Sequence, residues 1–137
     1  MTKKMISFLL VIACANIAYA TDFVTFKRNS QSDIELTGTS DTITYDPLDW
    51  KGVRMAVENL RHDLKAVTGS ANAPVVVGTV GKSKLAKKYK LQSKELQGKW
   101  EQYLIFTDKG KLVIMGSANR GAVLGIYALS GQITVSP

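Results

Sequence analysis

The chain has 137 residues, 45% of them hydrophobic, which suits one ordinary domain with a single core. Its net charge of +7 becomes +5 once Lys3 and Lys4 leave with the leader, and so mild a basic excess permits nucleic acid, anionic lipid or acidic polysaccharide while requiring none. His62 and Cys14 are the only histidine and cysteine, so a histidine-rich zinc site is excluded, and a chain cut after Ala20 has no disulfide or thiol chemistry.

Residues 1–20 have the form of a secretory signal. Lys3 and Lys4 make the charged start, residues 5–13 the apolar centre, and Ala18-Tyr19-Ala20 a small-x-small cleavage site. The apolar run is too short to cross a membrane as a mature helix. Val11-Ile12-Ala13-Cys14 also fits a bacterial lipobox, which would be cut before Cys14 and lipidate it. Soluble export is the preferred reading because Ala18-Tyr19-Ala20 fits the general pattern well. The expectation is a periplasmic or extracellular protein with residues 21–137 as its single domain, and no membrane partner unless Cys14 carries lipid.

Asp22-Phe23-Val24-Thr25-Phe26 alternates polar and apolar residues, as an edge or first strand does. A turn at residues 29–33, a short strand at Ile34-Glu35-Leu36 and a β-branched strand at Thr42-Ile43-Thr44-Tyr45 follow. Asp46-Pro47-Leu48-Asp49 opens the first long helix, with acidic caps and an early proline. Val53, Val57, Leu60, Leu64 and Val67 make its apolar stripe, and Gly69 its left-handed cap. Residues 73–78 read as a buried strand, residues 82–89 and 93–96 as short helices, and residues 100–107 as a strand. Asp108-Lys109-Gly110 is a tight hairpin turn into Leu112-Val113-Ile114-Met115, a run suited to burial on both faces.

Beyond that run, Ser117 or Asn119 is available to cap a second long helix. Ala122, Ile126, Leu129 and Ile133 recur at helical spacing, with Val123 and Tyr127 widening the stripe. So little polar surface places this helix inside the domain. The element order predicts an α+β layer structure, its long helices packed on one face of a mixed sheet.

Few residues stand out as chemistry. Gly78-Thr79-Val80-Gly81-Lys82-Ser83 invites a phosphate-loop reading, but the glycine needed five residues before Gly81 is Val76. A tight strand-to-helix turn is the better account. Lys82, Lys84, Lys87, Lys88, Lys90, Lys94 and Lys99 make a basic run without arginine or stacked aromatics, which speaks against nucleic acid. A solvated helix face is its commoner meaning, and a polyanion patch the alternative. His62 lies on the polar side of its helix, where a charge favoured by the dipole is commoner than a catalytic base.

The carboxylates Asp46, Asp49, Glu58, Asp63, Glu95, Glu101 and Asp108 are scattered, and no pair has the local frame of two acids flanking a sugar bond. Asp46 and Asp49 are most simply caps. Ser117 and Ser130 have no histidine nearby in sequence for a triad. Trp50, Trp100 and Tyr127 suit core packing better than sugar stacking. Asn119 and Arg120, at the mouth of the last helix, are the polar pair best placed to touch a ligand, since a helix start favours anions such as a uronate. A cap plus a structural arginine is the default reading of that pair.

The segment from Leu112 through Gly116-Ser117-Ala118-Asn119-Arg120-Gly121, then Gly125-Ile126-Tyr127-Ala128-Leu129-Ser130 and Val135-Ser136-Pro137, resembles the end of the N-terminal domain of glycoside hydrolase family 115, the xylan α-glucuronidases. Gly52-Val53, Asn59-Leu60-Arg61-His62-Asp63-Leu64, Val67-Thr68-Gly69, the Gly78 to Ser83 turn and Gly98-Lys99-Trp100-Glu101 extend the resemblance over about residues 45–137. It implies an exported enzyme that removes 4-O-methyl-glucuronic acid from glucuronoxylan. For this region it implies a non-catalytic α+β domain similar to the second domain of β-hexosaminidases, with the catalytic barrel following.

The family's catalytic acids have no counterpart positions here, and the chain stops at Pro137, where the family runs on toward the barrel. Ala118 stands where the family usually has an acidic residue, Gly131 replaces a usual glutamate, and Thr134 a usual glycine. The expectation is an N-terminal accessory domain or fragment of a xylan α-glucuronidase-like hydrolase, inactive alone. It carries no catalytic, cofactor-binding or metal residue, needs no cofactor, and meets glucuronoxylan through the missing barrel. The alternative is a small periplasmic module that binds acidic polysaccharide on its Lys82 to Lys99 face.

Overall fold

A computed structural model describes residues 5–6, 11–13, 24–25, 33–36 and 39–135. In chain order these form β1 (Met5–Ile6), β2 (Val11–Ala13), β3 (Val24–Thr25), β4 (Ile34–Glu35), α1 (Lys51–Thr68), β5 (Val75–Thr79), a 3₁₀ helix (Lys84–Lys88), α2 (Lys90–Leu96), β6 (Tyr103–Asp108), β7 (Lys111–Gly116) and α3 (Asn119–Val135). Strands β1 and β2 fall within the segment read as an export signal. Cys14 and Ala18-Tyr19-Ala20 lie outside the described residues, as does most of the strand expected at 22–26.

The centre is a hairpin that forms for local reasons. β6 and β7 pair antiparallel with Asp108 opposite Lys111, so the loop is Lys109-Gly110 alone. Both residues have positive φ, 48° and 79°, the backbone that joins two twisted strands in two residues. On its other edge β7 pairs in parallel with β5, Val75 opposite Leu112 through Thr79 opposite Gly116. The sheet is therefore mixed, in the order β2-β6-β7-β5. A second ladder, β3-β1-β4, is antiparallel.

Outside β5, the strand expected at 42–45 shrinks to one parallel bridge, Thr44 opposite Val76, closed by two backbone hydrogen bonds of 2.9 Å. The turn at Asp46-Pro47 takes the backbone away before a second bridge forms.

Alternate residues of each strand serve opposite faces. Val75, Val77, Ile105, Leu112 and Ile114 pack into one core with α1 and α3. Val76, Leu104, Phe106, Val113 and Met115 enter a second core, closed by Ala86 of the 3₁₀ helix and Leu96 of α2. Tyr89 meets Phe106 edge-on there, with ring centroids 5.3 Å apart. The fold is α+β, with both long helices on one face of the sheet and the two short ones on the other. Burial on both faces is why these strands read as unbroken apolar runs.

Val53, Val57, Leu60 and Leu64 of α1 are fully buried, but Val67, the last of the expected stripe, is exposed. Gly69 closes the helix in the left-handed region, its N–H donating to the Lys65 carbonyl at 2.9 Å. In α3 the stripe Ala122, Ile126, Leu129 and Ile133 is buried, whereas Leu124 and Tyr127 face solvent. That helix is half-submerged rather than interior, because α1 and the sheet cover only one side of it. It approaches β7 so closely that a Cβ on Gly116 would lie 2.0 Å from the Ala122 nitrogen.

Candidate functional site

The loop between α2 and β6 sets up the mouth of α3. It turns at Gly98, φ 75°, and at Glu101, φ 52°, a left-handed backbone that costs a non-glycine residue about 1–3 kcal/mol. Three contacts hold it there. Gln102 N donates to Ser117 Oγ at 3.0 Å, Ser117 N donates to the Gln102 carbonyl at 2.8 Å, and Arg120 Nη1 lies 2.9 Å from Glu101 Oε1. Gly121 makes room for them, since a Cβ there would sit 2.2 Å from the Gln102 oxygen. Trp100, one residue before Glu101, is left 75% exposed.

The expected pair at this mouth is split. Arg120 lies outside, its side chain 71% exposed and its Nη1 on Glu101. Asn119 turns inward, its Oδ1 buried without a hydrogen-bond partner and 3.0 Å from where a Cβ on Gly52 would stand, so the starts of α1 and α3 are packed together. Neither expected cap does that work: the Ser117 hydroxyl is taken by Gln102, and Asn119 is already the first helical residue.

A second polar network lies where β5 ends. Asp46 Oδ1 accepts the Leu48 N–H at 2.9 Å and Oδ2 the Lys84 N–H at 2.8 Å. These bonds, Lys84 first, hold its carboxyl below the ordinary carboxylate range. Asp49 accepts the Trp50 N–H at 2.7 Å and the Thr79 hydroxyl at 3.0 Å, and burial pushes its carboxyl upward. Neither is a side-chain cap of α1, which begins at Lys51 with no such cap. Both instead tie the approach to α1 to chain 30 or more residues away, a role with no local signature.

The same network disposes of the phosphate-loop reading. Lys82 N and Ser83 N donate to the Thr79 carbonyl, Leu85 N to Ser83 Oγ, and Lys84 N to Asp46. The amides that would cradle a phosphate are occupied, the last of them by a resident carboxylate.

The three aromatics expected in the core are on the surface instead. Trp50 is 44% exposed beneath the Lys82 ammonium, whose nitrogen lies 4.5 Å from the ring centroid. Tyr127 is 46% exposed and its hydroxyl accepts from Asn59 Nδ2. All three precede or face the open side of an element, which composition does not reveal. His62 is exposed, its Nδ1 3.8 Å from Asp63 Oδ1, and Ser130 donates to Asp63 rather than to a histidine. Lys82, Lys84, Lys87, Lys88, Lys90, Lys94 and Lys99 are all exposed.

Other carboxylates are engaged as well, Glu58 with Arg61 and Asp108 with the Tyr89 hydroxyl. An open groove of about 440 Å³ along α1, lined by Tyr45, Lys51, Arg54, Met55, Glu58 and Asn59, contains none of the expected ligand residues. Among the described residues, no three His, Cys, Asp or Glu side chains gather as a metal site, and no helix is long and apolar enough to cross a membrane. Trp100 and Glu101 are what sequence reasoning missed as a unit. The Gly98-Lys99-Trp100-Glu101 motif was their only trace.

Neither a family model nor a curated protein matches the chain. Among solved structures it is similar to a family GH115 4-O-methyl-α-glucuronidase with specificity for decorated arabinogalactans. The TM-score is 0.64 and the identity 28%, over 74% of this chain and 14% of that one. The chain thus spans a small part of that enzyme's length. It contains a domain similar to part of a GH115 glycoside hydrolase.

Proposed function

We propose that this chain is an accessory domain of an exported hydrolase acting on glucuronoxylan or a related polysaccharide that bears glucuronic acid, and that alone it cleaves nothing. The observation that carries this reading is the joint likeness, in fold and in sequence, to one segment of a GH115 glucuronidase. The secretory pattern of residues 1–20 supports export.

The carboxylate chemistry supports catalytic silence. Glycoside hydrolysis commonly needs two acids flanking one bond, with room between them for the sugar. Asp46 and Asp49 are buried, and each already accepts two hydrogen bonds. Glu101, Asp63 and Asp108 already pair with Arg120, Ser130 and Tyr89, while Glu58, 3.8 Å from Arg61, and Glu95 are exposed and on separate helices.

The test is incubation of the purified chain with glucuronoxylan and with glucuronic-acid-decorated arabinogalactan, followed by chromatography of released sugars. No 4-O-methyl-glucuronic acid above the no-protein control is expected. Turnover by the chain alone would overturn the proposal.

A further inference from the structure

We propose that Trp100, flanked in the chain by Lys99 and by the Glu101 that pairs with Arg120, forms a surface subsite for a pyranose unit of an acidic polysaccharide. The choice of ligand class rests on the polysaccharide reading above; the existence of a subsite rests on the loop itself.

An indole left 75% exposed forgoes most of the stabilisation that burying so large an apolar ring brings. Next to it, Glu101 is held at φ 52° by the contacts of Gln102 with Ser117 and by Arg120. The fold thus fixes the backbone that presents this ring to water. Sugar recognition uses such a surface: a flat apolar face for the C–H side of the ring, with polar groups at its rim for the hydroxyls. Arg120 has five N–H donors and its side chain is 71% exposed, so donors beyond the one on Glu101 are open to a sugar hydroxyl or a uronate.

Charge selects the class of polymer. Between residues 82 and 100 the lysines Lys82, Lys84, Lys87, Lys88, Lys90, Lys94 and Lys99 face a single acid, Glu95. That field attracts polyanions. The flat indole face then discriminates among them. It needs an uncharged ring lying between the anions, which a dense run of phosphates does not offer. A polymer with sparse uronates along a neutral backbone satisfies both demands.

The test is affinity electrophoresis of the full chain through gels containing glucuronoxylan, unsubstituted xylan or duplex DNA, with circular dichroism to confirm folding. Glucuronoxylan should retard the chain more than xylan does. Trp100→Ala should weaken that binding about 3- to 10-fold, the scale of one aromatic contact. Trp100→Phe should keep most of it, and Trp50→Phe should leave it unchanged while making Trp100 the sole fluorescence reporter, whose emission should shift on saturation.

No retardation by glucuronoxylan would overturn the subsite. So would retardation indifferent to Trp100→Ala, or retardation by DNA at least as strong, since either reduces it to a lysine effect. None of these outcomes bears on whether the chain releases methyl-glucuronic acid, so the two proposals fail separately.

Discussion

Asp46 Oδ2 accepts the Lys84 backbone N–H at 2.8 Å, joining the turn before α1 to the start of the 3₁₀ helix across 38 residues. Asn at this position keeps one acceptor oxygen but offers an N–H₂ where the other stood, so one of the Leu48 and Lys84 N–H groups loses its partner. Because these bonds lower the folded carboxyl from 3.8, its contribution is present above that value and is lost as pH falls through the depressed one. Asp46→Asn should therefore lower Tm at pH 7, and the gap to the wild type should close as pH drops below about 4. A gap of equal size at every pH would contradict the charged acceptor.

Asp49 should respond in the opposite sense. Burial raises its folded carboxyl above 3.8, so ionisation costs stability at neutral pH, and the cost is relieved as pH falls through the raised value. Asp49→Asn keeps an acceptor for the Trp50 N–H and can donate to the Thr79 hydroxyl. Its Tm at pH 7 should equal or exceed the wild type's. Asp49→Ala strands both partners and should cost about 1–3 kcal/mol. Thermal melts of the two variants, side by side, check the sign.

Two glycines near and in α3 should behave as opposites. A Cβ at Gly131 meets nothing within 4 Å, so Gly131→Ala removes only the penalty of a helix-interior glycine and should stabilise by up to about 1 kcal/mol. A Cβ at Gly116 would stand 2.0 Å from backbone, and neither β7 nor α3 can shift without breaking a core. Gly116→Ala should fail to fold. Urea titrations distinguish these outcomes from two near-neutral changes.

Sequence reasoning located whatever is periodic. The α1 stripe, the Gly69 cap and the Lys109-Gly110 hairpin are set by neighbours within a few residues, and their signals are local. Asp46 and Asp49 look like caps because acids before a helix usually are. Their actual partners, Lys84 and Thr79, are distant in sequence, so no spacing could name them. The same holds for Glu101, whose left-handed backbone depends on Ser117 and Arg120 reaching across from the next turn. Exposure of the two tryptophans was equally illegible, because aromatic residues usually pack inward and only the finished surface shows which do not.

The hairpin gives the last prediction. Lys109 occupies the first of two positions that both require positive φ, and a lysine Cβ is disfavoured there. Asn adopts that conformation more readily and is favoured in two-residue turns of this hand, so Lys109→Asn should stabilise by up to about 1 kcal/mol. Gly110→Ala, at φ 79°, should destabilise by about 1–2 kcal/mol. Because β6 and β7 carry residues of both cores, either change should move the whole urea transition without altering its slope. A change in slope, or a shift confined to one spectroscopic probe, would mean that the turn melts separately from the sheet it joins.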